Sequence, residues 1–417
     1  MHHVVVGAGP AGVTAAETLR RLDPAATITL IGEENETPYS RMAIPYFLIG
    51  KVGEDGTHLR RSPTHFADLR IDHVRKKVST LDTATKTLTL ADGSTVAYDK
   101  LCIATGARPV RPPIEGLDLP GAHTCWTLND ARAIADLVHD GAHVVLMGAG
   151  FIGSIVLEAL ALRGVNLTVV EMGDRMVPRM MDDIAGGMLK SWCIGKGVNV
   201  LTETRIEKIT RCTTGDCEDT LEVTLSTGKV LPAHLVVISA GVRSNIEFLA
   251  GSGITTDQGI LIDDHLRTSA PDVWAAGDVA QGRDLTTGER HVHAIQPTAT
   301  EHGRIAAQNM IGMDTPYQGS INMNVLDTLG LISTSFGLWQ GKGGEQARMV
   351  DAHGYRYLRL EFEDDVLVGA QCVGMTNHVG VLRGLIQSRT RLGPWKDILL
   401  RNPERVVEAY VGATQLP

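Results

Sequence analysis

Residues 4–33 read VVVGAGPAGVTAAETLRRLDPAATITLIGE, and residues 144–171 read VVLMGAGFIGSIVLEALALRGVNLTVVE. Each stretch opens with an apolar run of strand length and turns through three glycines. Each then continues with helical apolar spacing and closes with a second apolar run that ends in a carboxylate. A single G-x-G-x-x-G is a weak signal. Here the glycine turn follows a strand, opens a helix and precedes an acid at the expected spacing, twice in one chain, which makes two βαβ units the reading.

Dinucleotide binding explains the residue types. Gly7 and Gly148 permit the tight turn, Gly9 and Gly150 let main-chain amides approach a pyrophosphate, and Gly12 and Gly153 let helix pack on strand. Pro10 and Ala11 open the first helix and Phe151 and Ile152 the second, so that each helix N-terminus faces the anion. Glu33, with Glu34 as its substitute, and Glu171 are placed to accept hydrogen bonds from ribose hydroxyls. Glu171 would repel a 2′-phosphate, so the second site is expected to prefer NAD to NADP. Arg175 reads as a solvated surface residue.

The rest of the chain bounds the function. Its 417 residues are enough for two or three domains. Hydrophobic residues at 43% and charged residues at 21% exclude a disordered chain. A formal net charge of −9 and 4% aromatic residues argue against nucleic acid, leaving small molecules as the partner class. The run Arg75-Lys76-Lys77 reads as a solvated turn. The start, Met1 to Gly7, reads as a strand entering a turn without a basic leader, and no apolar run is long enough to span a bilayer, so a cytoplasmic protein is expected. Six cysteines without zinc-type pairing read as reduced thiols; Cys212 and Cys217 bracket Thr-Thr-Gly-Asp, which reads as a polar hairpin rather than a metal or redox pair.

Three further segments carry a resemblance. Leu101 to Pro109, LCIATGARP, Ile238 to Asn245, ISAGVRSN, and Val273 to Val279, VWAAGDV, resemble, in order, motifs of the two-dinucleotide-binding-domain flavoproteins, the pyridine nucleotide-disulfide oxidoreductase superfamily. The resemblance covers roughly residues 1–315 firmly. It implies an α/β fold with two Rossmann-like domains plus a C-terminal α+β interface domain, and it implies FAD and NAD(H) as cofactors. An FAD-binding domain is expected from 1–113 and 253–315, an NAD-binding domain from 114–252, and an interface or dimerisation domain from 316–417. Within it, Asp278 resembles the carboxylate that binds the ribityl hydroxyls, while Ala104, Thr105 and Gly106 lie beside the FAD chain. Val78 resembles the adenine contact, Arg41 a residue lining the FAD site, and Gly241 part of the strand end closing the NAD domain. The helix starting near Pro297 and Thr298 resembles the one whose N-terminus points at the flavin.

Disulfide-reducing members carry a CxxxxC pair or a single cysteine that this chain lacks; the position resembling that cysteine is Met42, which forms no thiolate. A Glu common two residues after the last NAD-site glycine is Ile155 here, with Glu158 a turn later. His291, His293 and His302 with Glu289 and Glu301 read as a loop insertion, so no metal is expected. No side chain is needed as an acid or base. The reading is therefore an FAD-dependent NAD(H) oxidoreductase of the ferredoxin, rubredoxin or nitrite-reductase-like branch. Nicotinamide C4 would exchange a hydride with flavin N5, and electrons would pass to or from a ferredoxin, a rubredoxin or an iron-sulfur subunit. A homodimer or heteromeric complex is expected. The alternatives are an NADH oxidase or quinone reductase, and a redox-regulated flavin-binding interaction module.

Overall fold

The computed structural model describes residues 1–212 and 220–414. It divides into two compact units, one built from 1–47, 52–108 and 242–320, the other from 48–51, 109–241 and 321–417. The second unit thus includes both the second βαβ repeat and the C-terminal sheet. Thr213 to Asp216 and Cys217 lie outside the described residues.

The first unit carries a five-stranded parallel sheet in the order 273–275, 100–103, 2–6, 27–32, 71–75. Val4 and Val5 at its centre are fully buried, as a continuous apolar run demands when both faces of a parallel strand are covered. The helix Pro10–Leu22 lies against it and buries Ala11, Val13, Ala15, Ala16 and Leu19. On that helix packs Gln296–Met310, and small residues set the approach: a Cβ on Gly303 would lie 2.2 Å from the Ala11 carbonyl oxygen.

The second unit repeats the plan with a parallel sheet in the order 199–201, 166–170, 143–147, 235–238, 122–124. Each repeat adds a three-stranded antiparallel sheet, 78–97 in the first and 206–211, 221–225 and 230–233 in the second. The fifth strand of the first sheet comes from far downstream, whereas that of the second comes from just upstream. Residues 323–373 form a five-stranded antiparallel sheet followed by helices Val379–Ser388, Pro394–Arg401 and Val406–Thr414. Inside this unit, Asp182 caps the helix Asp183–Gly195 through the Ala185 amide (3.0 Å) and also accepts from the Tyr357 hydroxyl and from Arg359 (3.1 Å), joining that helix to the antiparallel sheet.

Two expectations are corrected. Cys212 is disulfide-bonded rather than a free thiol; its amide pairs with the Thr220 carbonyl (2.9 Å), where the strand Ile206–Arg211 runs antiparallel to Leu221–Leu225. The histidines assigned to one loop are on three kinds of structure, because the loop is shorter than the polar spacing suggests. His291 is in the strand Arg290–Val292, His293 is a connector, and His302 is buried in the helix Gln296–Met310.

Arg20, 8% exposed, holds two loops together without a carboxylate as its hydrogen-bond partner. Its guanidinium donates to the carbonyls of Leu69 (2.7 Å), Pro24 (2.9 Å), Ala26 (2.9 Å) and Arg70 (2.7 Å). Arg20→Ala is expected to lower stability by about 3–5 kcal/mol, since it strands buried carbonyls. Arg20→Lys should recover only part, because a single ammonium cannot fork to both loops. Urea unfolding checks both, and a loss below about 1 kcal/mol for alanine would mean that water replaces the guanidinium.

Candidate functional site

The two glycine turns have the same internal logic. Gly7 and Gly148 sit at φ +114° and +97°, which disfavours any side chain. A Cβ there would lie 2.0 Å from the Ala104 oxygen or 2.4 Å from the Ser239 oxygen. At Gly12 and Gly153 it would lie 1.8 and 2.1 Å from the carbonyl oxygens of Gly7 and Gly148. The middle glycines differ. Gly9 and Gly150 have ordinary negative φ, −82° and −71°, and a Cβ on either meets nothing within 4 Å. Protein packing does not require glycine at these two positions; a ligand brought against the main chain does, which fits a pyrophosphate at the start of each helix.

The two acids are not equivalent in register. Val6 pairs with Ile31 and Met147 with Val170, so Glu171 matches Gly32 and Glu33 stands one residue later. A Cβ on Gly32 would already lie 2.9 Å from the Ala8 Cβ, leaving no room for an acid at that register. Glu33 is exposed, with Lys77 Nζ at 3.9 Å. Glu171 accepts from the amides of Ala149 and Gly173, each at 2.7 Å, so its carboxylate also fixes the glycine turn. Arg175 is held by Asp174 (2.8 Å) and the Met181 carbonyl (3.0 Å).

Beside the first turn, Glu34 accepts from Tyr39 (2.6 Å) and Arg41 (2.8 Å), so it belongs to the Arg41 group rather than standing in for Glu33. Burial raises the Asp278 carboxyl to about 6, against a smaller opposing effect of the Arg41 charge. A half-buried carboxyl in that state, within the field of an arginine, fits a ligand that donates hydroxyls. The A-T-G turn is clamped by Asn245, which sequence reasoning did not single out as a site residue. Its side-chain amide donates to the Thr105 carbonyl (2.8 Å), its own carbonyl accepts from the Thr105 hydroxyl (2.9 Å), and its amide donates to the Gly106 carbonyl (2.9 Å). Ser244 donates to the Asp278 carbonyl (3.1 Å).

The other expected residues are placed as follows. Pro10 is in the first turn of its helix and Ala11 is buried beneath it. Ala104 is buried, and its amide donates to the Val6 carbonyl (2.6 Å). The Val78 side chain is buried in the core. Gly106 and Gly241, at φ +64° and +100°, border open space. Phe151 and Ile152 begin the second helix, half-buried. The helix Gln296–Met310 starts without a side-chain cap, carries Pro297 in its first turn, and Thr298 bonds to Ser320 (2.8 Å). Among the described residues no group of His, Cys, Asp or Glu is arranged to hold a metal ion, and His293 pairs instead with Asp284 at 2.8 Å.

Comparison with known proteins places the chain in a family. The chain is 32% identical, over 99% of its length and 97% of the relative's, to the NADH-dependent phenylglyoxylate dehydrogenase subunit epsilon of Aromatoleum evansii. Among solved structures it is similar to an NAD-dependent persulfide reductase from A. fulgidus, with TM-score 0.85, 30% identity, and 94% of this chain and 78% of that one covered. It is also similar to a ferredoxin reductase from Rhodopseudomonas palustris, with TM-score 0.81, 28% identity, and coverage of 91% and 92%. No helix among the described residues is long and apolar enough to cross a membrane. With residues 1–303 matching the model described as pyridine nucleotide-disulphide oxidoreductase, the chain belongs to that family and is an FAD-dependent NAD(H) oxidoreductase.

Proposed function

We propose that this chain is the electron-transfer component of a larger oxidoreductase system, exchanging electrons between NAD(H) and an iron-sulfur protein or subunit. The observation that carries this reading is a pair of nucleotide cradles with no exposed free thiol among the described residues to follow them. Cys102, Cys125, Cys193 and Cys372 are free but buried, and burial pushes each thiol up to about 12. Met42 stands half-exposed at the position resembling the redox cysteine of disulfide-reducing relatives. The end-to-end similarity to a subunit of a dehydrogenase supports a protein partner over a small-molecule acceptor.

In this reading the FAD site comprises Gly7, Gly9, Gly12, Glu33, Arg41, Ala104, Thr105, Gly106, Asp278 and the helix start at Pro297 and Thr298. The NAD site comprises Gly148, Gly150, Gly153, Glu171 and Gly241. FAD, when bound, supplies two-electron chemistry toward NAD(H) and one-electron chemistry toward a carrier. The chain's own residues bind and orient: main-chain amides at the two glycine turns neutralise pyrophosphate, and the uncapped start of Gln296–Met310 offers a positive dipole end. Residues 316–417 are the proposed partner or dimer interface. A cytoplasmic location belongs to the same proposal and rests on the four free thiols, with the Cys212 disulfide at odds with it.

The test is an anaerobic titration of the flavin-loaded protein with NADH, followed by addition of a rubredoxin or a ferredoxin. Stoichiometric bleaching of the flavin absorbance, reversed by the carrier far faster than by air, is expected. Bleaching reversed quickly by oxygen alone would make the protein an oxidase, and flavin that NADH does not bleach would remove NADH as the electron donor.

A further inference from the structure

His302 is 3% exposed on the buried face of Gln296–Met310, and its Nδ1 accepts the amide hydrogen of Gly277 at 3.3 Å. Gly277 precedes Asp278 directly and sits at φ +75°, where a Cβ would lie 2.9 Å from the Ala11 Cβ. The turn that presents Asp278 is therefore wedged between two helices, and its Gly277 amide is held by an imidazole nitrogen of Gln296–Met310. That bond fixes the tautomer: Nδ1 carries no hydrogen, so the hydrogen is on Nε2. Nε2 is buried without a hydrogen-bond partner, and the ring stands perpendicular to that of Tyr317, centroids 4.5 Å apart. Burial, aided by the His293 charge, lowers the His302 pKa to about 3, so the ring stays neutral throughout the working range.

A buried amide satisfied by imidazole, where a carbonyl would ordinarily serve, is a costly choice unless the geometry matters. We propose that His302 is a positioning residue for FAD, fixing the Gly277 amide so that the Asp278 carboxylate points at the ribityl hydroxyls. The inference rests on the assignment of Asp278 to the FAD site. It identifies what aims that carboxylate, from a residue that touches no ligand.

The experiment compares FAD binding to apoprotein for wild type, His302→Leu, His302→Gln, Asp278→Asn and the Asp278→Asn/His302→Leu double variant. His302→Leu is expected to bind FAD about 10- to 100-fold more weakly, because one buried hydrogen bond is lost. His302→Gln, whose amide oxygen accepts from Gly277, should recover most of the affinity. In the double variant, the leucine should cost almost nothing beyond Asp278→Asn alone, since a residue acting only through Asp278 has no further route. Additive losses, or undiminished affinity in His302→Leu, overturn the inference while leaving the FAD assignment intact. Wild-type apoprotein that takes up no FAD overturns both. Should His302→Leu fail to fold, the nitrogen NMR signals of His302 in the wild-type holoprotein decide: a protonated Nδ1 is incompatible with the proposal.

Discussion

Asp278→Ala protein is expected to purify almost colourless and to oxidise NADH at no more than about a thousandth of the wild-type rate. The ribityl chain would lose two charge-assisted hydrogen bonds, together about 3–6 kcal/mol, or roughly a hundred- to ten-thousandfold in FAD affinity. Full flavin retention would remove Asp278 from the site. The conservative Asp278→Asn adds a test of sign. The folded apoprotein raises this carboxyl from 3.8 to about 6, so it holds the proton more tightly than the unfolded chain does. Its contribution to stability is therefore complete below pH 4 and is lost as pH rises through about 6. At pH 7.5 the Asp278→Asn apoprotein should melt above wild type, and at pH 4 the two should coincide. A constant gap across that range would show that the carboxyl does not titrate where its burial places it.

Glu171→Arg is the second large effect. Replacing the carboxylate removes the acceptor for the ribose hydroxyls and introduces a cation suited to a 2′-phosphate, so the ratio of NADPH to NADH efficiency should rise. The structure adds that both carboxylate oxygens also hold amides of the glycine turn, from Ala149 and Gly173. Arginine offers only donors there. NADH kcat/KM should consequently fall by about 100-fold, with NADPH turnover staying well below wild-type NADH turnover. A variant that uses NADPH as fast as wild type uses NADH would show that the turn is independent of Glu171.

The βαβ repeats were readable because their constraints are local and steric: a glycine whose missing Cβ would strike a carbonyl 2 Å away leaves its mark on the sequence at that position. The strand core was readable for the same reason, since Val4, Val5 and Leu235 through Val237 sit in continuous apolar runs that are fully buried. What escaped the reading is held by partners distant in the chain. Asn245 clamps Thr105 across 140 positions, Arg20 binds Leu69 and Arg70, and His302 reaches Gly277. None of these residue types announces its partner. The two outer strands of the C-terminal sheet, Met323–Thr328 and Gln346–Asp351, lie at its edges, bury little and so carry no apolar run to mark them. The misaligned acids show the opposite case: Glu33 and Glu171 look equivalent in spacing, and only the pairing register separates them.

The strand Val273–Ala275 completes the first parallel sheet against Lys100–Ile103, and Gly303 lets its helix close on Ala11. The second sheet draws all its strands from between Ala122 and Ile238. As the chain grows from its amino end, the second parallel sheet thus has all its strands once Ile238 is made, while the first, though begun earlier, waits for Val273–Ala275. A nascent chain halted before that point has every residue of the first glycine turn and a parallel sheet still short of its last strand. The order in which the two repeats are written is the reverse of the order in which their parallel sheets can be completed.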